Sequence, residues 1–209
     1  MHMRFALTMR VTQAVGYDEP RDSISQDWIS YLCKQDTQPI LIPNVLPNVV
    51  EYLESIKPHL LILSGGDDIG ATPERDKAER VILSYALDND VPVFGVCRGM
   101  QLIHHHFGGK LVPVANHAKK VHQVHIKPSA CPFYGQKINV NSFHDNGIKT
   151  IPINSKLHPF AIDHEESIEG FYHPEKPLAA VMWHPERYPN QEGDFKLMQH
   201  LVKHGSIIK

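Results

Sequence analysis

The stretch at residues 91–109, VPVFGVCRGMQLIHHHFGG, decides the fold of this chain. It begins with a short apolar run rich in β-branched side chains, which is typical of a strand buried on both faces. Apolar residues then recur at helical spacing from Met100 to Phe107, and Gly108-Gly109 ends the predicted helix. Cys97 lies at the junction, with a glycine two residues away on either side. This is the pattern of a nucleophile elbow, in which a sharp strand-to-helix turn exposes a reactive side chain.

The elbow pattern favours Cys97 as a nucleophile. The positive N-terminal end of the following helix stabilises the thiolate, which is the reactive form of a cysteine side chain. By position alone, a cysteine after an apolar run is more often a small buried hydrophobe. The flanking glycines and the partners described below favour the catalytic interpretation over this structural one.

Composition bounds the classes of protein to consider. The 209 residues are enough for one domain with a full hydrophobic core, so we expect a single domain over residues 1–209. The formal net charge of −2 gives no reason to expect a nucleic-acid or membrane partner, and no apolar run is long enough to span a bilayer. Three widely spaced cysteines argue against a disulfide framework and favour a reducing, cytoplasmic location. A homo-oligomer is left open.

Buried-strand patterns alternate with amphipathic helical patterns in the first half of the chain. This alternation predicts an α/β fold of the three-layer, flavodoxin-like type, with a mostly parallel central sheet flanked by helices. Short strand patterns after residue 109 predict a small extra antiparallel sheet. The predicted strands are 4–9, 39–42, 60–63, 91–96, 121–126, 137–140, 161–163, 167–172 and 179–183. The predicted helices are 23–34, with Ser23 as N-cap, 47–56, 74–89, the helix after Cys97 and a closing helix within 188–204, and residues 10–22 are predicted to be a loop.

Two further segments supply what a cysteine nucleophile needs. His184 and Glu186 follow a predicted strand, two residues apart, and fit a general base and the carboxylate that orients it. The oxyanion formed by attack on a carbonyl needs fixed N–H donors, for which we expect the backbone amides of Arg98 and Gly66. Taken alone, His184 also fits a structural turn histidine, and Gly65-Gly66 fits an ordinary glycine turn.

Five motifs occur together in one order and resemble the class I glutamine amidotransferase superfamily, more narrowly its free-standing γ-glutamyl hydrolase branch. These motifs are Leu63-Ser64-Gly65-Gly66-Asp67-Asp68, Arg75-Asp76 with Glu79, Cys97-Arg98-Gly99-Met100-Gln101, Val140-Asn141-Ser142-Phe143-His144 and Trp183-His184-Pro185-Glu186. The resemblance implies a Cys97–His184–Glu186 triad that cleaves a γ-glutamyl amide through a γ-glutamyl-thioester. It implies no metal and no organic cofactor, and a small-molecule γ-glutamyl substrate as the partner.

The same resemblance implies where the γ-glutamyl head binds. The residues expected around it are Gly65 and Gly66, Gln101, Ser142, and the pair His144 and Asp145. Gln101 lies one helical turn beyond Cys97, so its amide can face the same pocket and donate to the substrate's carboxylate. Gln101 and Ser142 also fit a solvated helix residue and a strand-end turn residue.

The leaving group is less clearly indicated. Relatives often read Ser-x-His-His-Gln where this chain has Ser142-Phe143-His144-Asp145-Asn146, a change of charge that argues against simple release of γ-aminobutyrate. The basic segment that contains Lys119, Lys120 and Lys127 fits a solvated basic face or a site for an anionic leaving group. Similarity to family members that hydrolyse γ-glutamyl-CDP-amidate in capsule phosphoramidate synthesis makes that compound a candidate substrate.

The many histidines raise the question of a metal site. His104-His105-His106 cannot form one, because consecutive helical residues point in different directions. His122 and His125, with His117 nearby, are a better zinc candidate, but we favour structural or substrate-facing roles for them. Two alternative functions stay open, namely a glutaminase subunit that passes ammonia to a separate synthetase, and a non-catalytic binding or sensor protein.

Overall fold

The computed structural model describes residues 2–115, 117–189 and 191–207. The strands are β1 (Met3–Thr8), β2 (Arg10–Gln13), β3 (Pro20–Ser23), β4 (Thr37–Ile42), β5 (Leu60–Leu63), β6 (Val93–Val96), β7 (Val112–Pro113), β8 (Ala118–Ile126), β9 (Lys137–Phe143), β10 (Asn146–Gly147), β11 (His158–Asp163), β12 (Ile168–His173) and β13 (Leu178–Val181). The helices are α1 (Gln26–Cys33), α2 (Val49–Ile56), α3 (Pro73–Asp88), α4 (Arg98–His106) and α5 (Glu192–His204).

A nine-stranded sheet organises the molecule, in the order β4-β1-β5-β6-β13-β12-β11-β8-β9. The strands from β4 to β13 in this order pair in parallel, and those from β12 to β9 pair antiparallel. The predicted α/β fold with a mostly parallel sheet and additional antiparallel pairing is therefore confirmed. The antiparallel strands extend the central sheet, while β2–β3 and β7–β10 form two separate two-stranded sheets.

The parallel strands are buried on both faces because helices cover each side. In β5, alternate side chains join opposite cores, with Leu60 and Ile62 in one and Leu61 and Leu63 in the other. The first core contains side chains of α1 and α5, and the second contains side chains of α2, α3 and α4. No helix among the described residues is long and apolar enough to cross a membrane.

Two expectations for the start of the chain are wrong. Residues 10–22 are not a loop, because β2 and β3 form a hairpin in which Arg10 pairs with Ser23. These strands are polar and lack the alternating apolar pattern that reveals a half-buried strand. The helix expected from residue 23 begins at Gln26, and its N-cap is Ser25, whose hydroxyl accepts a hydrogen bond from the Asp27 amide.

The antiparallel half of the sheet curls back towards the parallel half. Strand β9 is four places from β13 in the sheet, yet the Asn141 side chain hydrogen-bonds to the backbone of His184, just beyond β13. Register shifts within β11 and at Ala118/Lys120 in β8 mark bulges, which bend strands locally. The curl brings the carboxyl end of β9 next to those of β6 and β13.

Candidate active site

Cys97 lies between β6 and α4 with backbone angles φ 51° and ψ −106°. A non-glycine residue in this region stores roughly 1–3 kcal/mol of strain, which the surrounding structure must hold in place. One restraint is the hydrogen bond from the Cys97 amide to the Val181 carbonyl of β13, at 2.9 Å. The elbow geometry predicted for Cys97 is thus present, with the side chain at the carboxyl end of the parallel strands.

Close packing explains the glycine that follows Cys97 by two residues. A Cβ atom added to Gly99 would lie 2.0 Å from the Leu63 carbonyl oxygen of β5. Any side chain there would push α4 away from the sheet and move the turn that carries the sulfur. Gly99 is therefore required by the approach of the helix to β5.

Two side chains act on the ring of His184. Its Nδ1 lies 2.8 Å from Glu186 Oε1, and the Cys97 side chain is close enough to interact with the ring. Burial alone lowers the pKa of His184, but the hydrogen bonds and charges of Cys97 and Glu186 outweigh burial and raise the pKa to about 9. At neutral pH the ring therefore holds a proton beside the sulfur and is oriented by a buried carboxylate.

The segment that carries His184 is fixed by an asparagine to which the sequence analysis assigned no role. Asn141 Oδ1 accepts from the His184 amide at 2.9 Å, and its Nδ2 donates to the carbonyls of His184, Arg187 and Pro189. Phe143 packs edge-on to the His184 ring, with centroids 5.5 Å apart. The sequence showed Asn141 only as part of the Val140-Asn141-Ser142-Phe143-His144 motif, directly after the predicted strand 137–140.

The Ser64-Gly65-Gly66 turn lies directly against this imidazole. A Cβ on Gly65 would be 2.7 Å from His184 Cε1, and Gly66 has φ +141°. Arg75 anchors the turn, since its Nη2 donates to the carbonyls of Ser64 and Gly65 at 2.9 and 3.0 Å. The expected oxyanion donor Gly66 is thus held at the narrow cavity that His184 also lines.

A buried charge network links this turn to the start of α4. Arg98 donates through its guanidinium to Glu79 and Asp76, and Arg75 Nε donates to the other oxygen of Glu79 at 3.0 Å. Burial lowers the pKa of Arg75, while the carboxylate of Glu79 acts against this effect. The Arg98 amide is in the first turn of α4 and has no acceptor within the helix, so it is available to a bound oxyanion. Glu79 therefore supports both expected oxyanion donors, since it binds Arg98 directly and binds Arg75, which anchors the turn that contains Gly66.

Of the other residues expected to bind the substrate, Gln101, Ser142 and His144 are buried and hydrogen-bonded to backbone carbonyls, and Asp145 is exposed. Gln101 is buried, and its Nε2 donates to the Asn146 carbonyl at 2.8 Å, whereas Asp145 is exposed. Ser142 is fully buried and its hydroxyl donates to the His117 carbonyl, so it supports the fold. The Nδ1 of the buried His144 lies 3.0 Å from the same Asn146 carbonyl. Contacts of these side chains with a substrate stay predictions.

The space beside the imidazole is narrow. A cavity of about 20 Å³ lies between the turn at Gly65-Gly66, His184 and the side chains of Arg10, Trp28 and Arg187. A roomier cavity of about 390 Å³ lies between the segment at residues 44–50 and α3, and Cys97 does not line it. Cys97 is not among the lining residues of the narrow cavity either, but His184 and Glu186 are, so the narrow cavity is the candidate site.

Comparison with known proteins indicates a family for this chain. The family model for glutamine amidotransferase class-I matches residues 19–204. This chain belongs to the class I glutamine amidotransferase family. A γ-glutamyl-CDP-amidate hydrolase of Campylobacter jejuni is 29% identical over 99% of this chain and 100% of that protein. A glutamine-hydrolyzing GMP synthase subunit of Thermococcus kodakarensis is 31% identical over 73% of this chain and 78% of its own.

Solved structures show the same fold. A putative GMP synthase subunit protein from Thermoplasma acidophilum covers 97% of this amidotransferase chain and 95% of its own, with a TM-score of 0.75 and 22% identity. The glutaminase domain of Trypanosoma brucei CTPS, with bound acivicin, covers 96% of this chain and 94% of its own, with a TM-score of 0.70 and 13% identity. The sequence relatives include hydrolases and amidotransferases, which supports an amide-cleaving enzyme.

Proposed function

We propose that this amidotransferase-family chain, acting as one catalytic domain, hydrolyses a γ-glutamyl amide of a small molecule. The observation that carries the proposal is the placement of Cys97, in its elbow, beside His184, whose Nδ1 is held by Glu186 at 2.8 Å. This is the arrangement of nucleophile, base and orienting carboxylate that acyl transfer through a cysteine needs. The full-length relationship to a γ-glutamyl-CDP-amidate hydrolase supports the γ-glutamyl specificity.

In the first half of the reaction, the Cys97 thiolate attacks the γ-carbonyl carbon. The negative charge that develops on the carbonyl oxygen is stabilised by the backbone N–H groups of Arg98 and Gly66. The tetrahedral intermediate collapses when the C–N bond breaks and the His184 imidazolium gives its proton to the departing nitrogen. A γ-glutamyl-thioester is left on the sulfur, and His184 is neutral.

In the second half, neutral His184 takes a proton from a water molecule, which attacks the thioester carbonyl. The C–S bond breaks, glutamate leaves, and the thiolate is restored beside a protonated ring. Glu186 keeps Nδ1–H oriented throughout, so that Nε2 is the nitrogen that exchanges the proton.

The leaving group that we propose is anionic, as in γ-glutamyl-CDP-amidate. Arg10 and Arg187 both line the narrow cavity beside His184. The Arg187 guanidinium lies 4.6 Å from the centre of the Phe143 ring, and its Nε lies 3.6 Å from Glu186 Oε1. Strand pairing puts Lys120 opposite Ser142, at the end of β9 that reaches His184. Lys127, by contrast, follows the other end of β8, roughly 20 Å away at 3.3 Å per residue. The basic segment of the sequence is thus divided, with Lys119 and Lys120 at the end of β8 near the site, where Lys120 is the residue paired with Ser142.

The test compares γ-glutamyl-CDP-amidate with neutral γ-glutamyl-ethylamide, measured as released glutamate. We expect Lys120→Ala to lower kcat/KM about tenfold for the anionic substrate and less than twofold for the neutral one, as for loss of one charged contact. Lys127→Ala is the matched control and should change neither. Equal losses on both substrates, or an equal effect of Lys127→Ala, would contradict an anionic leaving group. Absence of glutamate release from either substrate by wild-type protein would contradict the hydrolase itself.

A second function is favoured by the relatives named as subunits of GMP synthase. On this alternative the chain is a glutaminase whose ammonia is used by a separate synthetase. Glutamine would then be its substrate, and its rate would rise when the partner binds. Hydrolysis of γ-glutamyl conjugates by the isolated chain, with glutamine left intact, distinguishes the hydrolase. Failure of a γ-glutamyl electrophile to label Cys97 would instead favour a non-catalytic binding protein.

A further inference from the structure

A second cluster of ionisable side chains lies inside the curled half of the sheet. It consists of three histidines and two carboxylates, namely His117, His122, His144, Asp163 and Glu169. Four of these side chains are at most 2% exposed, and that of His122 is 11% exposed. They come from the segment before β8, from β8, from the end of β9, and from β11 and β12. Groups of this kind are rarely buried together unless their charges are compensated.

Several polar atoms of this cluster lack a hydrogen-bond partner among the described residues. They include both carboxylate oxygens of Glu169 and the Nε2 atoms of His122 and His144. The Nε2 atoms of His117, His122 and His144 lie 3.8, 3.6 and 3.9 Å from a Glu169 oxygen. These separations are too long for hydrogen bonds. Two atoms bound to one cation at about 2.1 Å each are at most about 4.2 Å apart, and these separations lie within that limit.

In His117 and His144, hydrogen bonds of Nδ1 to backbone carbonyls leave Nε2 as the nitrogen that faces Glu169. His117 Nδ1 lies 2.7 Å from the Ala115 carbonyl, and His144 Nδ1 lies 3.0 Å from the Asn146 carbonyl. A carbonyl oxygen only accepts, so each Nδ1 carries a proton, and the neutral His144 ring presents an Nε2 lone pair. The Nε2 of His117 lies 2.8 Å from Asp163 Oδ2, and a metal ion bound there would displace the proton of this hydrogen bond. Metal-binding histidines are oriented in this way, with the non-ligating N–H donated to a carbonyl.

We propose that this cluster binds one divalent transition-metal ion of the zinc class. The ligands are Nε2 of His117, His122 and His144 with oxygens of Glu169 and Asp163. The ligand atoms lie within 4.8 Å of one another in two groups, His117 with His122 and Asp163, and His117 with His144 and Glu169. The two groups would have to close around the shared ion when it binds. Three neutral imidazoles and two carboxylates around a doubly charged cation form a neutral unit, which removes the unfavourable approach of lone pairs to carboxylate oxygens.

The bound ion would act as a structural clamp near the active site. All five ligands come from the protein and the cluster is buried, as in structural rather than catalytic metal sites. His144 and Gln101 hydrogen-bond to the same carbonyl of Asn146, so the metal would hold the segment after β9 next to α4. The proposal does not depend on the hydrolytic reaction, and its test uses no turnover measurement.

The experiment uses the full chain with Cys97→Ser, which removes the active-site thiol as a competing ligand. Protein stripped with a chelator is titrated with Zn²⁺ by calorimetry and with Co²⁺ by its visible d–d absorption. We expect one ion per chain, Co²⁺ bands of a four- or five-coordinate site, and a rise in Tm of about 5–10 °C at a Zn²⁺ concentration a hundred times Kd.

Glu169→Gln keeps the shape of the side chain but removes its charge, and it should weaken Zn²⁺ binding at least tenfold. His122→Ala is a second variant that should keep its fold, because the His122 ring is at the edge of the cluster. A loss of Zn²⁺ binding in this variant is therefore a loss of a ligand and not of the fold. His125→Ala is the matched control, since this histidine is exposed on the same strand. Stoichiometric binding that survives both cluster variants, binding that is lost in His125→Ala, or no binding by the parent protein would each overturn the proposal.

Discussion

Gly65→Ala tests how tightly the imidazole of His184 is positioned. The added Cβ would lie 2.7 Å from His184 Cε1, whereas ordinary contacts begin at 3.4 Å. The ring cannot rotate freely away, because Nδ1 is bound to Glu186 at 2.8 Å and Phe143 packs edge-on against it. The ring or the glycine turn must therefore shift by about 0.7 Å, the difference between these two distances.

A shift of this size is large for a proton-transferring group. Misplacement of a reacting group by 1 Å lowers rates on the order of a hundredfold, so we expect Gly65→Ala to lower kcat about 30-fold. Because φ at Gly65 is outside the left-handed region, alanine adds no backbone strain, and the variant should keep its fold.

The assay measures glutamate released from a γ-glutamyl amide, with Tm recorded for each variant. Gly135→Ala is the control, since its Cβ would meet nothing closer than 3.9 Å. A second readout is the alkylation rate of Cys97, followed by mass spectrometry of its peptide. If Gly65→Ala retains kcat within twofold of Gly135→Ala at equal Tm, the tight positioning of the ring is refuted.

Three further predictions follow from the same contacts. Glu186 is one of two groups, with Cys97, that raise the pKa of His184 to about 9, so the kcat/KM profile should fall on its alkaline side near pH 9. In Glu186→Gln this fall should move to lower pH. An unchanged pH profile would show that Glu186 does not influence the pKa of His184. Glu79→Gln leaves two buried arginines without full compensation and should lower the free energy of unfolding by about 3 kcal/mol, measured by urea denaturation, whereas a change below about 1 kcal/mol would contradict this. Asn141→Ala removes contacts to the His184 segment and should lower both kcat and Tm, and a loss of Tm with unchanged kcat would limit Asn141 to folding.

The parallel half of the fold could be predicted from the sequence because its signals are local. The run before Cys97 is continuously apolar, and the helix after it has regular spacing, so the turn between them is defined by a few neighbouring residues. The same holds for His184 and Glu186, which are two residues apart at a strand end. The polar β2–β3 hairpin was missed because periodicity detects strands only when one face is buried.

The contacts of the antiparallel half could not be predicted, because they depend on strand register and curl. Asn141 reaches His184 across four strand positions, which no spacing in the sequence encodes. The histidine pattern suggested His122 with His125, but these residues are an odd number apart on β8 and point to opposite faces of the strand. In the structure His122 instead lies beside Glu169, which comes 47 residues later in the chain.

The curl of the sheet separates two tasks within one continuous layer. The sulfur, the imidazole and its carboxylate are carried by the parallel strands β6 and β13, while β8 and β9 approach them from the far margin as a folded-over wall. This wall is not passive, because Asn141 and Phe143 of β9 contact the segment and the ring of His184. A change of leaving-group preference in a protein of this shape is therefore expected to begin in β8, since β9 also supports the proposed base.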